Sequence, residues 1–160
     1  MNAGVKKLLI FVSDLLAQPQ GGVVVYGRRN FEREDFNTLQ IVIDNVDTST
    51  RLLSSSKYDG EAEEMQYVQK ISSPATIDFY GENAYEECER FVLLLSTQKS
   101  YELQRDQRIE VYQESGIIDL KLLTGDQYSE RVQISLRIQF NIELTEDVLR
   151  IDELQSTLIT

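Results

Sequence analysis

The stretch that decides the fold of this chain is residues 131–144, which read RVQISLRIQFNIEL. Every even position from Val132 to Leu144 is apolar, and every odd position is polar. Because side chains alternate between the two faces of a β-strand, this pattern predicts a long strand with one buried and one solvated face. On a helix the same residues would spread apolar groups around the whole circumference. Strands usually have about 5–6 residues, so we expect this one to be the spine of an antiparallel sheet.

The composition predicts one domain spanning residues 1–160. Of the 160 residues, 41% are hydrophobic, and no shift in composition marks a linker. Chains of about 100–200 residues usually form a single domain. The only cysteine, Cys88, excludes an intrachain disulfide. The apolar run of residues 8–12 is too short for a signal peptide or a membrane span, so we expect a soluble, intracellularly made protein that does not contact a membrane.

The chain is strongly acidic, with 27 acidic and 16 basic residues and a formal net charge of −11. Tight binding to nucleic acid of any sequence relies on Lys and Arg to neutralise phosphates, so this charge argues against it. It does not argue against a protein that lets nucleic acid pass without binding it, because like charges repel at close range. Composition does not separate that interpretation from simple solubility.

Apolar stripes at three- and four-residue spacing predict two main helices, at about residues 3–17 and 84–97. Asn2 is a candidate cap for the first helix. For the second, Asn83 and Glu86 form a variant of the capping box. Cys88 lies on the apolar stripe of that helix and is assigned to the core, since the chain has no histidine to activate a thiol. Ser100 is a candidate cap for a short third helix that ends near Gln104.

Between the two main helices, the pattern predicts a long hairpin with its tip near residues 56–62. A strand that starts near Leu39 extends past Arg51, the Asp59-Gly60 pair marks a turn, and the chain returns through Phe79. The outer part, about residues 48–70, is acidic and poor in aliphatic side chains. It is either a loop without fixed structure or an arm that becomes ordered against another subunit. Its candidate contact residues are Asp59, Glu61, Glu63 and Glu64.

Shorter segments complete the chain. Residues 23–26 and 109–112 read as strands, and the segment 117–123 leads to a turn at 124–126. The charged segment after the first of these strands contains Arg28, Arg29 and Arg33, which either contact a phosphate or partner or form local ion pairs in a solvated loop. The tail at about residues 148–160 is expected to dock as an edge element on this subunit or on a neighbour.

The residues provide little for catalysis. The chain lacks histidine, the commonest general base and transition-metal ligand. The carboxylates are predicted on solvated surfaces, not paired in a cleft. Gly21 and Gly22 precede a strand and are not followed by the Lys of a phosphate-binding loop, and residues 47–59 lack the ligand spacing of a calcium loop. We therefore expect no enzyme activity, no cofactor and no metal.

Two segments resemble the neck and tail terminator family of tailed bacteriophages. One is the stretch 75–81, in which a strand ends in an aromatic-Gly pair, followed by the helix from Ala84. The likeness covers about residues 20–150, although the segment 108–118 lacks the Gly-rich, Pro-containing turn of the family. The other segment carries the matching residues Asp119, Leu120, Leu123, Tyr128, Glu130, Arg131, Gln133, Leu136 and Arg137.

This resemblance implies a structural virion protein with an α+β, tail-terminator-like fold. It implies a homo-oligomer, expected as a hexameric ring at the head–tail junction, that caps the tail tube or joins it to the head connector. The expected partners are connector or adaptor proteins, tail tube or sheath proteins, and genomic DNA that crosses the lumen without specific binding. The protein would be made in the host cytoplasm. Tyr128, Glu130 and Arg131 either pack and pair within the subunit or contact a partner.

A second hypothesis is a non-enzymatic adaptor whose hairpin edge adds a β-strand to a bound peptide. A third, a small-molecule enzyme, requires a deep pocket with shifted carboxylates, and the sequence offers no residues from which to build one.

Overall fold

The computed structural model describes residues 3–27, 39–44, 50–120, 122–124 and 127–148, without the side chains of residues 53, 122–124 and 127–129. The described part contains three helices: α1 (Ala3–Leu16), α2 (Ala84–Leu95) and α3 (Gln98–Gln107). Its strands are β1 (Val24–Tyr26), β2 (Gln40–Asp44), β3 (Thr50–Asp59), β4 (Glu64–Tyr80), β5 (Ile109–Gln113), β6 (Ile118–Asp119), β7 (Leu122–Thr124), β8 (Gln127–Ser129) and β9 (Arg131–Asp147).

The main sheet has the strand order β1-β2-β4-β9-β5. Strand β3 pairs with β4 beyond the end of β2, and β6 pairs with β9 beyond the end of β5. Strands β1 and β2 are parallel and the other pairs are antiparallel, while β7 and β8 form a separate two-stranded sheet. The predicted α+β class is confirmed, with a mixed sheet.

Strand β9 is the predicted spine of the sheet. It pairs with β4 along the full length of both strands, from Tyr80 opposite Arg131 to Glu64 opposite Asp147. Each strand has 17 residues, about three times the usual length. The two strands therefore form one long ribbon on which the other elements are arranged.

The helices cover one face of this ribbon. The even positions of β9 from Val132 to Phe140 are buried, together with the apolar stripe of α1 and the side chains of Ala84, Cys88 and Phe91 from α2. The two main helices occupy the predicted positions. Because α1 lies close against the sheet, a Cβ added at Gly4 would be 2.6 Å from Cε1 of Phe140.

The predicted helix starts need two corrections. Asn83 precedes α2, but its side chain makes no capping hydrogen bond. Its backbone (φ −110°, ψ 26°) is outside the extended region from which a cap reaches the helix N–H groups. Helix α3 is capped by Thr97, not by Ser100, which lies buried inside the helix. Thr97 is extended (φ −91°, ψ 160°), and its side chain accepts a hydrogen bond from the N–H of Ser100.

The outer part of the ribbon forms a three-stranded arm. We define the arm as β3, residues 64–70 of β4 and residues 141–147 of β9, which pair continuously. The turn at its tip spans residues 60–63, where the Asp59 carboxylate accepts the N–H groups of Glu61 and Ala62 at 3.0 and 3.3 Å. The predicted hairpin is thus present as regular strands. The predicted continuation of the strand from Leu39 past Arg51 runs through residues 45–49, which lie outside the described residues; on either side of them, β2 and β3 pair with successive parts of β4.

Candidate functional site

One face of the arm continues the core face of the sheet beyond the helices. In antiparallel strands, directly opposed residues have side chains on the same face. Phe140 opposes Ile71, and the next pairs on that face are Ile142 with Gln69 and Leu144 with Tyr67. Tyr58 and Met65 oppose each other near the tip of the arm. We call this surface the arm face and define it by Tyr58, Met65, Tyr67, Ile142 and Leu144.

The arm face is the surface where the sequence pattern and the structure differ. The alternation predicts burial along the whole spine, but Ile142 is 46% exposed and Leu144 is 63% exposed. An open groove of about 460 Å³ lies on this surface. It is lined by Arg51, Ser54, Ser55, Ser56, Tyr67, Val68, Gln69, Ile71, Ile142 and Leu144.

The opposite face of the arm is charged. Lys57 opposes Gln66, and Lys70 opposes Asn141, so these side chains share the face that carries Glu64, Glu143 and Asp147. Lys70 forms an ion pair of 3.0 Å with Glu110, which also accepts the hydroxyl of Tyr112 at 2.7 Å. The hydrogen bond from the Tyr112 hydroxyl is the main cause that lowers the pKa of the Glu110 carboxyl, and the hydrogen bond from Lys70 is the next. The two faces therefore differ in polarity, and the apolar one is suited to contact protein.

The tip of the arm concentrates negative charge. Its predicted carboxylates lie at or beside the turn of residues 60–63, and the pairing of β4 with β9 adds Glu146 and Asp147. The sequence pattern considered above ends at Leu144 and does not include these last two residues, which are more than 80 positions away from the turn. Extending the alternation of β9 past Leu144 would have placed them on the arm. We define the acidic tip as Asp59, Glu61, Glu63, Glu64, Glu146 and Asp147.

A group of basic side chains lies at the other end of the arm. The start of α1 carries Lys6 and Lys7, and the end of α3 carries Arg105 and Arg108. The Lys7 ammonium donates a hydrogen bond of 3.4 Å to the Arg108 carbonyl, which brings the two helix ends together. Arg108 also lies 3.8 Å from Glu143 at the base of the arm. We call these four residues the basic corner.

The described residues show no arrangement for metal binding and no helix able to span a membrane. Cys88 is completely buried, as its position on the apolar stripe predicts. Burial, with a smaller effect of Glu89, raises the pKa of its thiol to about 12. A thiol in this state is neutral near pH 7 and does not act as a nucleophile.

Comparison with known protein families finds a match over residues 3–160 to a family described as phage neck terminator protein. The chain belongs to this family. The resemblance carried by residues 75–81 and 119–137 is therefore confirmed. Comparison with curated proteins finds no match. The family is structural, so its members are components of the virion and contact other head or tail proteins.

In this family member, Arg131 pairs with an acid from another strand. Its guanidinium donates to both carboxylate oxygens of Asp78, at 3.2 and 3.1 Å, and lies 5.6 Å from the ring centroid of Tyr80. Gln133 donates a third hydrogen bond to Asp78. The pKa of the Arg131 guanidinium is raised, mainly by its hydrogen bonds to Asp78. Asp78 opposes Gln133, an odd position of β9, so the pair joins β4 to β9 on the face away from the helices, where Asp78 is buried.

Some of the other residues that match the family pattern lie near Arg131. Asp119 opposes Val132, and the N–H of Leu120 donates to the Arg131 carbonyl at 2.7 Å. Glu130 is half-buried directly before β9. The side chain of Tyr128 lies outside the described part of the structure, as do residues 28–38 with Arg28, Arg29 and Arg33. The tail beyond Val148 and the cap residue Asn2 also lie outside it.

Proposed function

We propose that this chain forms a closed ring, expected to contain six copies, at the junction of head and tail. The ring caps the tail tube or joins it to the head connector. The main support is the exposed arm face on a member of the neck terminator family. Ile142 and Leu144 continue the core face of the spine strand but have no covering element among the described residues. A contiguous exposed apolar surface of this kind marks a protein contact.

The second part of the proposal concerns DNA. We propose that the genome crosses the lumen of the ring without specific binding. Each copy carries a net charge of −11, so a ring of such subunits repels phosphates at close range. Electrostatic repulsion favours passage over retention. Residues 1–160 are proposed to form one domain that does this without catalysis.

A direct test uses tail tubes from a phage that lacks this protein. The purified chain is added to the tubes, and particles are imaged by negative-stain electron microscopy, with native mass spectrometry of the chain alone. We expect rings, either free or at one end of each tube, and tubes that already carry the protein serve as the control. A chain that stays monomeric and binds neither tubes nor connectors would contradict the proposal.

An adaptor function remains the second candidate because the arm has open edges. The outer edge of β3 has no strand partner within the described residues, and such an edge can pair with an added peptide strand. An adaptor predicts that deletion of residues 50–66 removes one binary complex and leaves the oligomeric state unchanged. The ring proposal predicts that the same deletion changes the oligomeric state.

A further inference from the structure

We infer that the arm face of each copy is covered by the helical surface around the basic corner of a second copy, with the acidic tip against that corner. This inference rests on the proposed ring and names the contact that builds it. Three features support it: an apolar face that no element of the described residues covers, a charged group of opposite sign at each end of the arm, and an exposed aromatic side chain next to the basic corner.

The apolar face requires a protein occupant. Helix α1 begins at Ala3, beside Phe140, so the helical layer ends where the arm starts. Beyond Phe140, the side chains of Ile142, Leu144 and Tyr67 are exposed, whereas the reverse face of the arm is charged. Burying the apolar side chains would gain about 25 cal/mol for each Å² removed from water. The difference between the two faces selects which side of the arm is covered.

The charges identify a second copy as the occupant. Ile109, which follows the basic corner, opposes Phe140, and Asp147 lies seven positions further along β9. At about 3.4 Å per residue this separates the corner from the tip by roughly 24 Å. Charges are screened over about 8 Å at physiological ionic strength, so the tip cannot neutralise the corner within one subunit. There, Arg105 and Arg108 form exposed ion pairs with Asp106 and Glu143, at 3.5 and 3.8 Å, and such pairs contribute little. Between two copies the tip and the corner can be brought into contact.

The surface near the corner matches the arm face in character. Tyr101 and Arg105 are four residues apart on α3 and therefore lie on one side of the helix. The Tyr101 side chain is exposed. An aromatic group beside basic groups complements an apolar face that ends in acids, which resembles the usual apolar centre and polar rim of an interface.

The inferred contact joins two different surfaces of the same chain. An interface of this heterologous type passes from one subunit to the next and closes into a ring when the rotation between subunits permits. It does not stop at a dimer, as a self-complementary patch does. The alternative is that a tail tube protein or DNA covers the arm face. The following experiment distinguishes this alternative from a second copy.

The test reverses charge on each side of the contact. A tip variant combines Glu61→Lys with Glu63→Lys, and a corner variant combines Lys6→Glu with Arg105→Glu; all four side chains are exposed. Each variant alone should associate about tenfold or more weakly than the wild type, equivalent to about 1.4 kcal/mol or more. An equimolar mixture should regain association because each variant complements the other. Self-association is measured by sedimentation at low and high salt.

A pair of leucine variants tests the apolar part of the contact. Leu144→Asp on the arm face should abolish self-association. Leu93→Asp is the matched control, since Leu93 on α2 is 73% exposed and lies outside the inferred contact. Circular dichroism and thermal melting establish that each variant is folded. If a charge-reversed variant is unfolded, Glu61→Gln with Glu63→Gln replaces the tip variant and should weaken the salt dependence of association.

The outcomes separate this contact from the proposed function. The inferred contact is overturned if the tip and corner variants assemble like the wild type, or if their mixture fails to recover association. In either case, rings of the wild type seen by microscopy would leave the ring proposal intact. If the arm face binds only tail tubes or DNA and a second copy never associates, the contact is likewise overturned. A wild-type chain that forms no ring, free or on tubes, contradicts both.

Discussion

At the scale of single residues, Gly4 shows how closely the first helix approaches the sheet. A side chain at this position would place Cβ 2.6 and 2.8 Å from Cε1 and Cζ of Phe140 and 3.3 Å from Cδ1 of Ile138. Phe140 is only 3% exposed and is surrounded by the core, so its ring cannot move away freely. The φ angle of Gly4 is within the ordinary helical range, so backbone conformation does not require glycine here; the lack of space for a side chain does.

We therefore expect Gly4→Ala to lower the free energy of unfolding by about 1–2 kcal/mol. Overpacking typically costs about 1–3 kcal/mol, and the better helix propensity of alanine returns at most about 1 kcal/mol. Urea denaturation followed by circular dichroism measures the change. Gly116→Ala is the matched control, since no atom lies within 4 Å of its added Cβ, and it should be nearly neutral. A Gly4→Ala protein as stable as the wild type would show that the helix shifts at no cost.

At the scale of elements, β9 is one continuous strand in two environments. Up to Phe140 its even positions are buried under the helices, and from residue 141 to 147 every side chain is exposed. Its partner β4 changes at the corresponding position: its buried part begins at Ile71, and residues 64–70 are half-buried or exposed. The hydrogen bonding of the ribbon is continuous, but the apolar packing is confined to its base.

This difference predicts uneven hydrogen exchange along the strand. In the monomer, amides in residues 141–147 should exchange at least about tenfold faster than those in residues 132–140. Opening the arm exposes little buried apolar surface, so its local opening free energy is low. Exchange followed by mass spectrometry on overlapping peptides measures both segments. The gap should shrink under conditions in which the chain assembles, and equal protection of the two segments in a monomer would contradict this account.

At the scale of the whole molecule, stability and assembly are coupled through the arm. A subunit that leaves apolar surface exposed gains stability when a neighbour covers that surface, because the contact exists only in the folded state. Such linkage makes the melting temperature depend on protein concentration. The effect is opposed by the net charge of −11, since like-charged subunits repel one another.

We therefore expect the melting temperature of the wild type to rise with total protein concentration. Calorimetry over a hundredfold range of concentration should show an increase of a few degrees, as expected for a contribution of about 1 kcal/mol in a domain of this size. The Leu144→Asp variant should lose this dependence, whereas Leu93→Asp should keep it. A wild-type melting temperature that is independent of concentration would show that no association accompanies folding.

The sequence alone determined several features of this protein, because the patterns behind them are local. Alternation over residues 131–144 identified the spine strand, and the apolar stripes identified α1 and α2. The position of Cys88 on one of these stripes predicted its burial. The motif from Asp119 to Arg137 indicated the family that the match over residues 3–160 confirms.

Only the tertiary structure decided where the helical layer ends over the ribbon, which leaves Ile142 and Leu144 exposed although they share the pattern of buried Ile138. It also gave Arg131 the partner Asp78, 53 positions away, and it joined Glu146 and Asp147 to the tip. The ion pair and the charges at the tip depend on the register between strands that are distant in the chain. Local periodicity specifies which face of a strand a side chain occupies, but the packing of remote elements determines whether that face is covered.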